Sequence, residues 1–326
     1  MAISLANARN LTQDKLAQVV IDEFRKSPLM EAMVFDDNVS MGGGSTLNYV
    51  YNRITTLPTA AFRAINSEYT AQEAQTTRYT VELKPFGGSF GIDRVVQNDV
   101  RGITNQLELQ LNQKIQATVA LFNDTFINGD SATDTKAFDG LAKALADSST
   151  EIEPATAIDL SSSSAIDSHY KEFLDTLNKL LGEMDGTPTG ILVSKPMKAV
   201  INSIATRSGY FSTDDVDAFG RPVTKYAGIP FMEMGDKPGT AKPIISIDET
   251  TGTTSLYVVR IGLDGVHAVT PDGSSIVKTY LPDFNAPGAV KTGEVEMVAA
   301  MALKASRAAG VLANIQINPK KTTPSG

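Results

Sequence analysis

The chain has 326 residues, 42% of them apolar and 20% charged, and at about 150 residues per domain that length is expected to give about two domains, each able to bury a core. With no Cys and two His, it cannot form disulfides, thiolate zinc sites, iron–sulfur clusters or a cysteine nucleophile, and a His-based metal site would need carboxylates for its other ligands. A formal net charge of −8 argues against a sequence-specific nucleic-acid reader, which carries a basic surplus.

The stretch Met1–Asn10 lacks the basic start and apolar core of a secretory signal, and no segment approaches the roughly 18 uninterrupted apolar residues of a membrane span. The expectation is a soluble protein, made in a reducing cytoplasm, with no membrane partner.

Thr12 reads as a helix cap, and Leu16, Val19, Val20 and Phe24 follow on one apolar stripe until Pro28 interrupts it. Val34–Ser40 reads as extended, and Gly42-Gly43-Gly44 as a flexible joint. Thr46–Ile54 is rich in strand formers. Thr77–Lys84 alternates Tyr79, Val81 and Leu83 against Arg78, Thr80, Glu82 and Lys84, so these two segments are expected to be strands. The connection from Thr55 to Thr76 far exceeds the roughly two to five residues of a hairpin loop. It mixes Phe62 and Ile65 with Arg63, Glu68 and Glu73, and is expected to be an arm that packs against something outside its own chain.

Gly87-Gly88-Ser89-Phe90-Gly91 satisfies the Gly-x-Ser-x-Gly pattern of a hydrolase elbow, for which His267 could supply the base. Pro85 and the extended look of Phe90-Gly91-Ile92 favour instead a glycine-rich bend where the arm rejoins the body. His267 alternates with valines and is expected to be a half-buried strand residue bonded to a neighbour. His169 is expected at the surface, and Asp36-Asp37 and Asp214-Asp215 in solvated turns. Phosphate-loop, dinucleotide, zincin and EF-hand motifs are all missing from the sequence, so no enzyme activity, cofactor or metal is expected.

After Gly102, apolar residues from Ile103 to Phe126 recur at three and four until Gly129, giving a long helix whose polar face (Asn105, Gln106, Glu108, Gln113, Gln116 and Asn123) suits contact with other subunits and water. Ser131–Ser164 reads as irregular apart from a helical patch at Gly140–Ala146. A helix with Tyr170, Phe173, Leu177, Leu181 and Met184 on one face is expected to be capped by Asp167 or Ser168. Strand Gly190–Val193 leads to a helix capped by Ser194 with Pro196 in its first turn. Further strands are expected at Ile229–Met234, Pro243–Ile247, Ser255–Ile261 and Val266–Val269, before apolar runs at Glu294–Lys304 and Ala308–Ile317.

An extended arm, a long spine helix and an α/β region closing in long strands together resemble the major capsid protein of tailed phages, the Hong Kong 97-type fold. Three passages carry the likeness: Phe126-Ile127-Asn128-Gly129-Asp130 with Phe138-Asp139-Gly140-Leu141, then Gly228-Ile229-Pro230-Phe231-Met232, then Arg307-Ala308-Ala309-Gly310-Val311-Leu312. The resemblance implies an α+β chain divided into an N-terminal arm (1–41), an extended loop (42–91) and a peripheral domain with the spine helix (92–135). The axial domain (136–290), closing strands shared by both domains (291–318) and a tail (319–326) follow.

The resemblance also implies hexamers and pentamers closing into an icosahedral virion shell around double-stranded DNA, which an acidic wall encloses without gripping. Phe62 and Ile65 would bury against a neighbouring subunit. Arg53, Arg63, Glu68, Glu73 and Arg78 would set register, at about 0.2 to 1 kcal/mol each if exposed. Without a long charged segment before the arm, a separate scaffolding protein or unaided assembly is expected, with portal and decoration proteins as further partners. No Lys occurs from Ile54 to Leu83, so no lysine crosslink from the loop is expected. The alternatives are an encapsulin-type compartment, which shares the fold and encloses protein cargo, and a serine hydrolase using Ser89.

Overall fold

The computed structural model describes residues 2–4, 23, 26–37, 47–56, 58–93, 106–209, 211–216, 222–271 and 276–321. The helix expected from Thr12 and the joint at Gly42–Gly44 lie outside them. In chain order the elements are β1 (Ala2–Ser4), α1 (Pro28–Ala32), β2 (Val34–Asp36), β3 (Asn48–Thr56), β4 (Gln75–Glu82), β5 (Lys84–Asp93), α2 (Gln106–Asn128), α3 (Leu141–Leu145), β6 (Glu151–Ile152) and β7 (Ile158–Asp159). Next come α4 (Ser163–Glu183), β8 (Gly190–Val193), α5 (Lys195–Ser208), β9 (Phe211–Val216), β10 (Pro222–Tyr226), β11 (Ile229–Glu233) and β12 (Thr253–Val259). The chain closes with β13 (Val266–Val269), β14 (Val277–Tyr280), β15 (Val290–Leu303) and β16 (Ala309–Gln316).

Two sheets organise the body. The first runs β1-β2-β13-β15-β14, with β5 on the other side of β15. The second runs β6-β16-β12-β8-β11-β10-β9, with β7 also beside β16. Consecutive strands β15 and β16 belong to different sheets, so the chain's ending ties the two units together across the short turn Ser306–Ala308.

Alternation of side chains across a strand explains how the second sheet serves two cores. In β8, Ile191 and Val193 face the core built with Phe173 and Leu177 of α4 and Ile201 of α5, while Leu192 faces the core shared with α2. β12 repeats this, with Leu256 and Val258 on one side and Tyr257 and Val259 on the other. Covered on both faces, these strands read as unbroken apolar runs.

The long helix α2 buries Leu111, Ile115, Phe122 and Phe126 completely, and the Phe122 ring meets Phe86 at 5.7 Å and Phe138 at 5.9 Å between centroids. Beyond its end the chain folds back so closely that the Gly140 N–H donates to the Gly129 carbonyl at 2.8 Å. A Cβ on Gly129 would lie 2.2 Å from the Phe138 carbonyl oxygen, and one on Gly140 2.5 Å from that of Thr125. Only glycine fits at either place, which gives the Asn-Gly-Asp and Asp-Gly-Leu passages a packing reason.

Several expectations are corrected. Asn123, expected on an outer polar face, is buried and donates to Ser27 at 3.1 Å, while Glu108, Gln113 and Gln116 of that face are exposed, Gln116 donating to Glu23 at 3.2 Å. Helix α4 starts earlier than expected, because Ser162 accepts from the Ala165 N–H at 3.2 Å and Ile166 already packs in the core. Pro243–Ile247 forms only an isolated bridge to Asp236, since Pro243 has no N–H to give a ladder. Strands β13 and β14, within the range expected for an axial domain, pair with β15 in the first sheet. The hairpin ends at Glu82, and β5, expected inside the extended loop, is part of that same sheet.

Candidate interaction site

Strands β3 and β4 form a two-stranded ladder outside both sheets, from Asn48 opposite Glu82 to Thr56 opposite Gln75. Beyond it the chain continues to a turn at Ile65–Asn66, where Asn66 takes φ of 68°, a left-handed conformation that Asn tolerates. The tip is closed by its own bonds. The Ser67 hydroxyl donates to the Ala64 carbonyl at 2.8 Å, and the Thr59 N–H donates to the Gln72 side chain at 3.0 Å. The Arg63 guanidinium donates to the Ala64 and Ser67 carbonyls at 3.3 and 3.1 Å, 5.3 Å from the centre of the Tyr69 ring.

This order leaves apolar groups in water. Phe62 is 105% and Ile65 91% exposed, with Tyr69 largely exposed beside them. Burying a Phe or Ile side chain is worth about 1.5 to 3 kcal/mol, so the tip carries a standing drive toward a partner surface. Glu68, Glu73 and Arg78 are exposed and form no ion pair with any described residue.

Arg53, expected to set register between subunits, makes contacts within its own chain. It sits in the ladder, where its guanidinium donates to the Leu303 carbonyl and lies 4.1 Å from the centre of the Tyr79 ring. Arg63 likewise is occupied by the turn it closes.

The hydrolase constellation does not form. Ser89 lies inside β5, opposite Glu294 of β15, with no strand-to-helix turn and no bend. The glycines around it serve close packing: a Cβ on Gly87 would fall 2.0 Å from the Val295 carbonyl oxygen. His267 pairs with Ala302, eight residues further along β15 than Ser89's partner, or about 27 Å at about 3.4 Å per residue.

His267 is also fully buried rather than half-buried, and neither ring nitrogen has a hydrogen-bond partner among the described residues. Burial and the nearby Lys304 ammonium push its pKa down to about 4, against the pull of Asp36. Asp36 lies in a buried strand rather than a solvated turn and accepts from the Tyr49 hydroxyl at 2.8 Å, while Asp214-Asp215 lie in β9. His169 is half-buried, its Nδ1 3.1 Å from the Ala165 carbonyl oxygen.

Among the described residues, no helix is long and apolar enough to cross a membrane, and no group of His, Asp and Glu could hold a metal ion.

No family model matches the sequence, and no curated protein matches it. Solved structures do. A chain from Mycobacterium phage Bobi superposes with a TM-score of 0.58 at 14% identity, over 91% of both chains. The holo-SrpI encapsulin complex from Synechococcus elongatus superposes with a TM-score of 0.57 at 16% identity, over 85% of both chains. The capsid of a native GTA particle superposes with a TM-score of 0.53 at 12% identity, over 83% of this chain and 86% of that one. The chain has the Hong Kong 97-type fold, with β3–β4 as its extended loop and α2 as its long spine helix.

Proposed function

We propose that this chain is a shell-forming protein and, more specifically, the major capsid protein of a tailed phage, assembling as hexamers and pentamers into an icosahedral virion shell around double-stranded DNA. The observation that carries the proposal is the arm. A closed, self-bonded hairpin tip presents Phe62, Ile65 and Tyr69 to water on a fold shared with shell proteins. Obligate interfaces bury upwards of about 2,000 Å² and resemble divided cores, which is the environment these side chains lack in the single subunit.

The role is structural. Its chemistry is contact between copies made in a host cytoplasm, with a net charge of −8 that disfavours tight phosphate contacts to the enclosed DNA. A scaffolding protein, a portal and decoration proteins are the further partners such a shell would use. The second reading, an encapsulin-type compartment, is favoured by the SrpI superposition. The two part on what co-purifies with closed shells, DNA or a protein cargo.

The double variant Phe62→Ser/Ile65→Ser tests the arm. Both positions are solvent-exposed in the subunit, so its melting temperature should be unchanged while closed shells disappear from electron micrographs. Undiminished shell formation by this variant would overturn the role given to the arm.

A further inference from the structure

The root of the arm is held to the body by a small set of side chains on one face of β3. Residues 49, 51 and 53 alternate onto that face, and each reaches the body. The Tyr49 hydroxyl donates to Asp36 of β2 at 2.8 Å. The Tyr51 hydroxyl donates to the Leu303 carbonyl at 2.9 Å, and the Arg53 guanidinium donates to that same carbonyl. Tyr79, across the ladder, stacks on Tyr51 at 5.8 Å and carries Arg53 on its other contact at 4.1 Å. Leu303 is the last residue of β15, paired through Val266, and its carbonyl gathers both donors where the strand ends.

Packing holds the inner root, where Tyr49 is buried in the body's core and Tyr51 and Val81 lie against it. Between the hairpin and the body lies a cavity of about 630 Å³, bounded by Tyr51, Arg53 and Tyr79 on the arm and by Leu303 on the body. Beside that unpacked space, the directional bonds of Tyr51 and Arg53 add to the packing in setting the direction of the arm.

We propose that Tyr51, Arg53 and Tyr79 form a clasp on the Leu303 carbonyl that aims the extended loop, and that these are positioning residues for the subunit contact made by the tip. The inference rests on the shell-forming reading for its purpose, and its test does not require shells. One carbonyl accepting two donors gives the arm a preferred direction, and the guanidinium beside the Tyr79 ring couples the ladder to that point. Loss of one such bond is expected to raise the population of arm directions away from the clasped one about fivefold, equivalent to about 1 kcal/mol.

The native sequence has no Cys, so paired spin labels at Ala64→Cys on the tip and Lys136→Cys on the body are selective. Distances are read by pulsed electron spin resonance on the full chain at concentrations where sedimentation shows single subunits, labelled molecules being diluted with unlabelled ones. The parent should give one narrow distance. Arg53→Gln, and separately Tyr51→Phe, which deletes only a hydroxyl, should each add a second population about fivefold above the parent's. Tyr79→Phe, which keeps the ring, should leave the distance unchanged. A narrow, unshifted distance in a folded Tyr51→Phe or Arg53→Gln chain would overturn the clasp. Absence of shells from the parent chain would overturn the proposed function and leave this distance readable.

Discussion

The buried His267 makes the subunit's acid stability predictable. Its ring is packed edge-on to Tyr49 at 5.8 Å and lies 3.9 Å from Asp36, with Lys304 also facing Asp36 at 3.8 Å. The native pKa of about 4 stands below the ordinary 6.5, so above that ordinary value the ring is neutral in both states and contributes no pH dependence. As the pH falls from 6.5 toward 4, the unfolded chain takes up a proton that the native fold refuses, and stability declines. At about 1.4 kcal/mol per pH unit the loss reaches about 3 kcal/mol, and it levels off below the native value, where both states are protonated.

Carboxylates act in a lower window. Asp130, bonded to Lys143, is held at about 2 against an ordinary 3.8, and its contribution is present above 3.8 and lost as the pH falls toward 2. His267→Phe keeps the ring and removes the titration. Urea unfolding of the unassembled subunit from about pH 7 to about pH 4 should show the parent losing about 3 kcal/mol more than the variant. Equal losses in the two chains would refute the assignment of this acid limb to His267.

Other consequences of the packing can be tested by melting. Ala227, with φ of 49°, shares the two-residue turn between β10 and β11 with Gly228, so Ala227→Gly should stabilise by about 0.5 to 1 kcal/mol, and a lowered melting temperature would contradict the strain. Gly140→Ala drives a Cβ against the Thr125 carbonyl and should cost about 1 to 3 kcal/mol. Gly182→Ala, in α4 with open space where the Cβ would be, should instead stabilise by about 0.5 to 1 kcal/mol; similar shifts for the two would discredit the close approach at Gly140. Phe122→Ala, at the centre of the ring cluster, should cost about 3 to 5 kcal/mol in urea unfolding.

Local periodicity made the longer helices α2, α4 and α5 and the central strands of the body legible in the sequence, while α1, which opens at Pro28, was read as a break. Ser194 caps α5 as expected, accepting from Met197 at 3.3 Å, and the apolar run of β8 matches a strand covered on both faces. The start of α4 was obscured because the run Ser161–Ser164 has the composition of a loop, although one of those serines is the cap. Strand β5 was hidden by its glycines, which suggest a bend when read alone. Its partner β15, a 14-residue strand with a buried alternation, is the long-range template that straightens it.

The hairpin was visible through the strand formers on either side of its long connection, and Phe62 and Ile65 of that connection are exposed. The bond that Arg53 makes was not visible. Its acceptor is the carbonyl of Leu303, 250 positions away, and no local pattern encodes a bond to a backbone atom at that distance. The same holds for Asp36, whose neighbours Tyr49, His267 and Lys304 arrive from β3, β13 and the end of β15.

Electron microscopy of the purified chain measures self-assembly into a closed shell directly. Closed particles of uniform size, with capsomers arranged in sixfold and fivefold rings, are the expected result. A preparation in which the folded chain remains single subunits at every concentration reached, alone and with its co-expressed neighbours, would contradict it.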